Sequence, residues 1–192
     1  MVGGWLLQEE ANTLTAPWFS LTITPEDAPW LFQGDNFASS WASTAAELLA
    51  ALIAIKVFGI GSKLERGTCS HVLRCTGGVD NKAVEPLTNK KLSTKLPVMI
   101  ILIEYFHHCD LVGLRCHLDW RPRDVNVPAD DLTNSRFDKF DESLRIPAEW
   151  SNLHFPMCDL LMKFSERFNK RKGLASPPFP AEGQKFQKSH WG

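Results

Sequence analysis

The stretch GGVDNKAV, residues 77–84, closes the strand-like run CSHVLRCT, residues 69–76, and puts the carboxylate of Asp80 at the tip of an apolar strand. Two readings of that carboxylate are open. It caps the turn that follows, with Asn81 as an Asx-turn residue, or it is one leg of a metal site whose other legs lie elsewhere in the chain. Which one holds depends on what the flanking elements bring to the same place.

Upstream, Trp41, Ala45, Leu48, Leu52 and Ile55 recur at helical spacing. Thr44 and Glu47, three residues apart, have the form of a capping box at the start of that helix, and Gly59 and Gly61 end it. Before the helix, Val2–Leu7 and Trp18–Thr24 read as two strands, the second bracketed by Pro17 and Pro25. Downstream, Pro97 and Gly113 bound an apolar helix. LRCHLDW, residues 114–120, alternates apolar and polar positions as a half-buried strand does. VPADDLTN, residues 127–134, opens a short helix. The order β-β-α-β-α-β-α implies an α/β fold with a sheet of mixed direction.

Glu47, Asp80 and Asp130 all fall at strand ends or helix starts, which gather at one edge of an open α/β sheet. Three acids there, without basic partners, repel one another unless a cation lies between them. Hard cations such as Mg²⁺ take carboxylate oxygens and keep several waters. Each acid also has a bland reading: capping box for Glu47, turn cap for Asp80, and helix-dipole partner for Asp130 or its neighbour Asp131. Arg121 and Arg123 flank Pro122 at the edge of this region, and Lys82, Lys90, Lys91 and Lys95 form a basic cluster just after Asp80. They are phosphate contacts or ordinary solvated charges.

STAAELLAALIAI (43–55), VDNKAV (79–84) and LDWRPRDVNVPADDLTN (118–134), in this order, resemble the ribonuclease H-like domain attached to retroelement reverse transcriptases. The resemblance spans roughly residues 2–146. It implies a ribonuclease H-like mixed sheet with flanking helices. It also implies Mg²⁺ (or Mn²⁺) held by Glu47, Asp80 and Asp130, cleavage of the RNA strand of RNA–DNA hybrids, and a reverse transcriptase domain upstream. Asn81, Lys82, Arg121 and Arg123 become the candidate nucleic-acid contacts. One departure counts against full activity. The family's first strand and its Asp have no counterpart here, because VGGWLL resembles the second strand, and Glu9 and Glu10 follow it at the wrong place to substitute. The expectation is an incomplete domain with impaired cleavage. The alternatives are a non-catalytic retroelement remnant that binds nucleic acid or protein, and a small α/β domain unrelated to nucleases.

Composition bounds the rest. A net charge of −1 leaves no overall basic field to draw in nucleic acid, so such a partner needs a local patch or a metal ion. Five cysteines without a CxxC pair read as reduced thiols of an intracellular protein, in cytoplasm or nucleus. The most apolar run, Ala45–Ile55, is interrupted by Glu47 and is too short to span a bilayer. The expected division is residues 1–146 as the domain, 147–172 as connector and amphipathic helix (SRFDKFDESLRIPAEW being the polar lead-in), and 173–192 as a disordered tail.

Overall fold

In the computed structural model, residues 1–7, 15–29, 31–32, 40–61, 72–95, 97–160 and 163 are described. Cys69, the tail 173–192 and most of the expected amphipathic helix beyond residue 160 lie outside them. The chain divides into two compact units, Met1–Cys158 and Asp159–Gly192; the fold below is that of the first.

The elements are β1 (Val2–Trp5), β2 (Trp18–Leu21), α1 (Ser40–Val57), β3 (Leu73–Val79), α2 (Val84–Lys90), α3 (Val98–Leu111), β4 (Leu114–Trp120) and α4 (Val127–Thr133). The class is mixed α/β, but the expected single sheet is two ladders. β1 and β2 pair antiparallel, Val2 opposite Leu21 and Trp5 opposite Trp18. β3 and β4 pair parallel and in register, from Leu73–Leu114 to Val79–Trp120. Among the described residues no ladder joins the two pairs. Helix α1 packs against both β1 and β3, which explains its composition. Ala45, Leu48, Leu49, Leu52 and Ile53 are fully buried, too many for one narrow stripe, because the helix is covered on more than one side. Each such leucine stabilises the fold by roughly 2 kcal/mol through area removed from water.

Three local expectations are corrected. Helix α1 begins at Ser40 rather than Thr44, so Thr44 and Glu47 are interior residues and no capping box forms. The polar stretch after Asp80 contains an additional helix, α2, with Pro86 in its first turn, where a missing N–H costs nothing. Residues 135–146 are not a polar connector. Phe140 is buried with Trp18 and Leu132, and Phe137 and Leu144 pack against that cluster. The Trp18 indole donates to the Asp141 carbonyl at 2.7 Å, and the Ile146 amide donates to the Trp18 carbonyl at 2.8 Å. This segment closes over β2 by means of its spaced aromatics, although charged residues outnumber them.

The close packing of α4 on β1 depends on Gly3: a Cβ there would stand 2.7 Å from the Leu132 Cβ. At the other end of the unit, the fully buried Glu104 of α3 accepts the backbone amides of Met157 (2.7 Å) and Cys158 (3.0 Å). Lys56 of α1 donates to the His154 carbonyl at 2.7 Å and lies 5.2 Å from the Phe155 ring centre. Two charged side chains thus hold residues 154–158 onto α1 and α3. Replacing Glu104 by Ala leaves two amides without their acceptor and is expected to cost about 2–4 kcal/mol in urea unfolding. Glu104→Gln, which keeps an acceptor oxygen, is expected to cost clearly less; equal losses would refute the capping role.

Candidate functional site

The site is assembled where the first half of α1 meets the tip of β3. Val79 is the last residue of β3 and is buried, which brings the next residue, Asp80, against α1. The Asp80 amide donates to Glu47 Oε1 at 3.0 Å. Asn81 is tied to the same helix: its Nδ2 donates to Ser43 Oγ at 3.3 Å and to Thr44 Oγ1 at 3.2 Å. Its Oδ1 accepts the Ala83 amide at 3.0 Å, the Asx turn that sequence allowed. The Asn81 side chain is therefore engaged in holding the loop rather than presented to a ligand.

Burial raises the Glu47 pKa from its ordinary 4.5 to about 7; the amide of Asp80 opposes that rise and the negative charge of Asp80 adds to it. The dominant cause is desolvation, which penalises the ionised form. Asp80 itself forms an ion pair with Arg123 Nε at 3.3 Å, through a guanidinium whose side chain is 82% exposed. The site is thus one partly buried carboxyl whose desolvation holds a proton near neutrality, next to a second partly buried carboxylate.

Aromatic and basic groups frame the pair. The Trp120 indole donates to the Asp80 carbonyl at 3.0 Å, and the Trp120 amide donates to Glu85 at 2.9 Å. Lys82 Nζ stands 4.3 Å from the Trp120 ring centre. The Arg121 amide donates to the Val79 carbonyl at 2.7 Å, which carries the β4 end alongside the tip of β3. Arg123 thus meets Asp80 directly, Lys82 lies on Trp120, and Arg121 crosses β3 at Gly78.

Asp130 is not brought to this pair. It lies on α4, which packs on β1 and β2, and its carboxylate pairs with Arg136 at 3.2 Å. Asp131, beside it, is buried and accepts Arg136 Nε and Lys139 Nζ, both at 2.8 Å; the Lys139 hydrogen bond is the largest cause of its lowered pKa. The premise that these acids lack basic partners is thus corrected for Asp80 and Asp130. Among the described residues, no three His, Cys, Asp or Glu side chains are gathered to hold a metal ion. Glu47 and Asp80 alone fit one hard cation, which is commonly held by one or two carboxylates together with water and phosphate. They do not fit the two-ion centre implied by the resemblance.

No protein-family model, curated protein or solved structure matches this chain. The site's chemistry therefore rests on its own geometry. Sequence reasoning missed Glu104, whose setting in IILIEYF carried a signal: a lone acid inside an apolar helix requires a buried partner. No helix among the described residues is long and apolar enough to cross a membrane.

Because the folded-state pKa of Glu47 lies above its ordinary value, the folded protein binds the extra proton. Its stability then falls as pH rises from about 4.5 to about 7 and levels off above that. Glu47→Gln keeps an oxygen for the Asp80 amide and removes the charge. It is expected to match wild type near pH 4.5 and to exceed it by up to about 3 kcal/mol at pH 8. Urea unfolding of both proteins across that range checks the sign. A variant less stable than wild type at pH 8 would contradict it.

Proposed function

We propose that this chain is a ribonuclease H-like domain of reverse-transcriptase origin that grips the backbone of an RNA–DNA hybrid with the help of one divalent cation and is impaired in cleavage. The observation that carries this reading is the contact between Glu47 and Asp80. A carboxyl held protonated by burial and by a neighbouring negative charge gains when a cation arrives, since the cation favours the ionised form of both groups. Mg²⁺, or Mn²⁺ in its place, would be held by Glu47 and Asp80, with water and a phosphate oxygen completing its shell, and would supply charge neutralisation between protein and backbone.

The chain's own residues do the rest. Arg123 is mostly exposed and paired only with Asp80 at the surface, so it exchanges that carboxylate for a phosphate at little cost. Arg121 at Gly78 and Lys82 on Trp120 are near enough to extend the contact along the backbone. Asn81 keeps the loop in register with α1. Recognition by backbone and 2′-hydroxyls needs no base-specific contact. The arrangement of strands also supports the reading. Among the described residues, an antiparallel pair and a parallel pair both pack on α1 with no ladder between β1 and β3, a pattern consistent with a sheet that lacks a central strand. Impaired cleavage follows from the carboxylate set: Asp130 is engaged by Arg136, and hydrolysis by paired ions needs ligands for both.

The test is binding of a labelled RNA–DNA hybrid, with and without Mg²⁺, followed by gel analysis of the RNA strand. Wild type is expected to bind the hybrid about tenfold more tightly with Mg²⁺ and to leave the RNA intact or nearly so. Asp80→Asn is expected to lose the Mg²⁺ effect while folding normally, since the Asp80 backbone amide is unchanged. Mg²⁺-independent binding, or binding unaffected by Asp80→Asn, would overturn the reading.

A further inference from the structure

A second cluster of reactive groups lies away from the carboxylate pair, in the middle of the parallel ladder. Cys75 of β3 and Cys116 of β4 are direct partners in register, so their side chains leave the same face of the sheet side by side. Adjacent strands run ~4.8 Å apart, within the ~4.4–6.8 Å Cα separation that a disulfide spans. Both are free thiols and both are partly exposed, whereas Cys109 and Cys158 are buried. Both also line a cavity of about 530 Å³, whose walls include Arg74, Lys91, Arg115 and His117 and no carboxylate.

We infer that Cys75 and Cys116 form a dithiol site that is oxidised by a small anionic disulfide of the glutathione type entering this cavity. The Cys116 thiolate attacks one sulfur of the incoming disulfide and expels the other half as a thiolate, which leaves a mixed disulfide on Cys116. The Cys75 thiol gives its proton to solvent and attacks Cys116 Sγ, expelling the second half. One disulfide forms in the protein, one is broken in the ligand, and two electrons pass from the cysteine pair to two small thiols.

The order of events follows from the contacts. The Cys75 thiol, beside Cys116 in register, is the main reason the Cys116 pKa falls to about 7, while that of Cys75 rises. Cys116 is thus the thiol that ionises first and attacks. The Tyr105 hydroxyl donates to the Cys116 carbonyl at 3.3 Å and fixes that strand against α3. Arg115 is paired with Asp110 at 2.7 Å and His117 with Asp119 at 3.0 Å, so Arg74 and Lys91 supply the positive charge of the lining that favours a ligand carrying carboxylates. The inference does not depend on the reading of Glu47 and Asp80.

The test uses the full chain carrying Cys69→Ser, incubated with glutathione disulfide at low ionic strength, alkylated and mapped by mass spectrometry. The expected product is one internal disulfide joining the Cys75 and Cys116 peptides, with no lasting adduct. Cys75→Ser is expected to trap a single glutathione on Cys116. Cys116→Ser is expected to react at Cys75 at least about tenfold more slowly. Cystamine, a cationic disulfide, is expected to oxidise the pair about tenfold more slowly than glutathione disulfide. A disulfide to Cys109 or Cys158, no oxidation of the native pair, or equal rates for the two serine variants would overturn the dithiol. Equal rates for the two disulfides would overturn the anionic ligand.

Discussion

A partly buried carboxyl on α1, facing the amide of Asp80, is the constraint on which the rest of this site depends. Glu47 is desolvated enough to hold a proton near neutrality, yet its oxygen is used to dock the β3 tip onto the helix. A neutral hydrophobic residue of the same size would remove the desolvation penalty and leave the Asp80 amide without an acceptor. A glutamine would satisfy the amide without the charge. Glu47 satisfies the amide but carries a charge that burial disfavours, so ionising it at neutral pH costs stability. A cation bound beside it, as proposed above, would offset that cost.

The tip also needs room, which the two glycines of GGVDN provide. A Cβ at position 77 would lie 2.7 Å from Leu118 Cδ2, and one at 78 would lie 2.9 Å from Arg121 Cδ. The first lets β4 bury Leu118 under the helices; the second lets the Arg121 side chain lie across β3 beside Asp80. The same in-register pairing that sets these approaches also sets Cys75 beside Cys116. One ladder thus carries a carboxylate at its tip and a thiol pair near its middle, and both follow from register rather than from separate local motifs.

Much of this was legible in the residues. The alternation of LRCHLDW marked β4 at its observed limits, and the apolar spacing of residues 45–55 marked the buried body of α1. What failed had physical causes. The Thr44–Glu47 spacing imitates a capping box, but both side chains instead face the Asp80–Asn81 turn, a tertiary contact that local pattern does not reveal. Asp130 and Asp131 looked unpaired because their partners, Arg136 and Lys139, lie in a segment whose polar composition hid its packing on Trp18. α2 was hidden by Pro86, which is harmless in a first turn. Cys75 and Cys116 lie 41 residues apart, separated by the α2–α3 crossover, so only the strand register exposes the pair.

The most direct measurement is a ¹³C NMR titration of the Glu47 carboxyl in the full chain, with and without Mg²⁺. A midpoint near pH 7 that moves to lower pH on adding Mg²⁺ is the predicted result. A midpoint near the ordinary 4.5, or one near 7 that saturating Mg²⁺ leaves in place, would contradict the claim that Glu47 and Asp80 form a cation site.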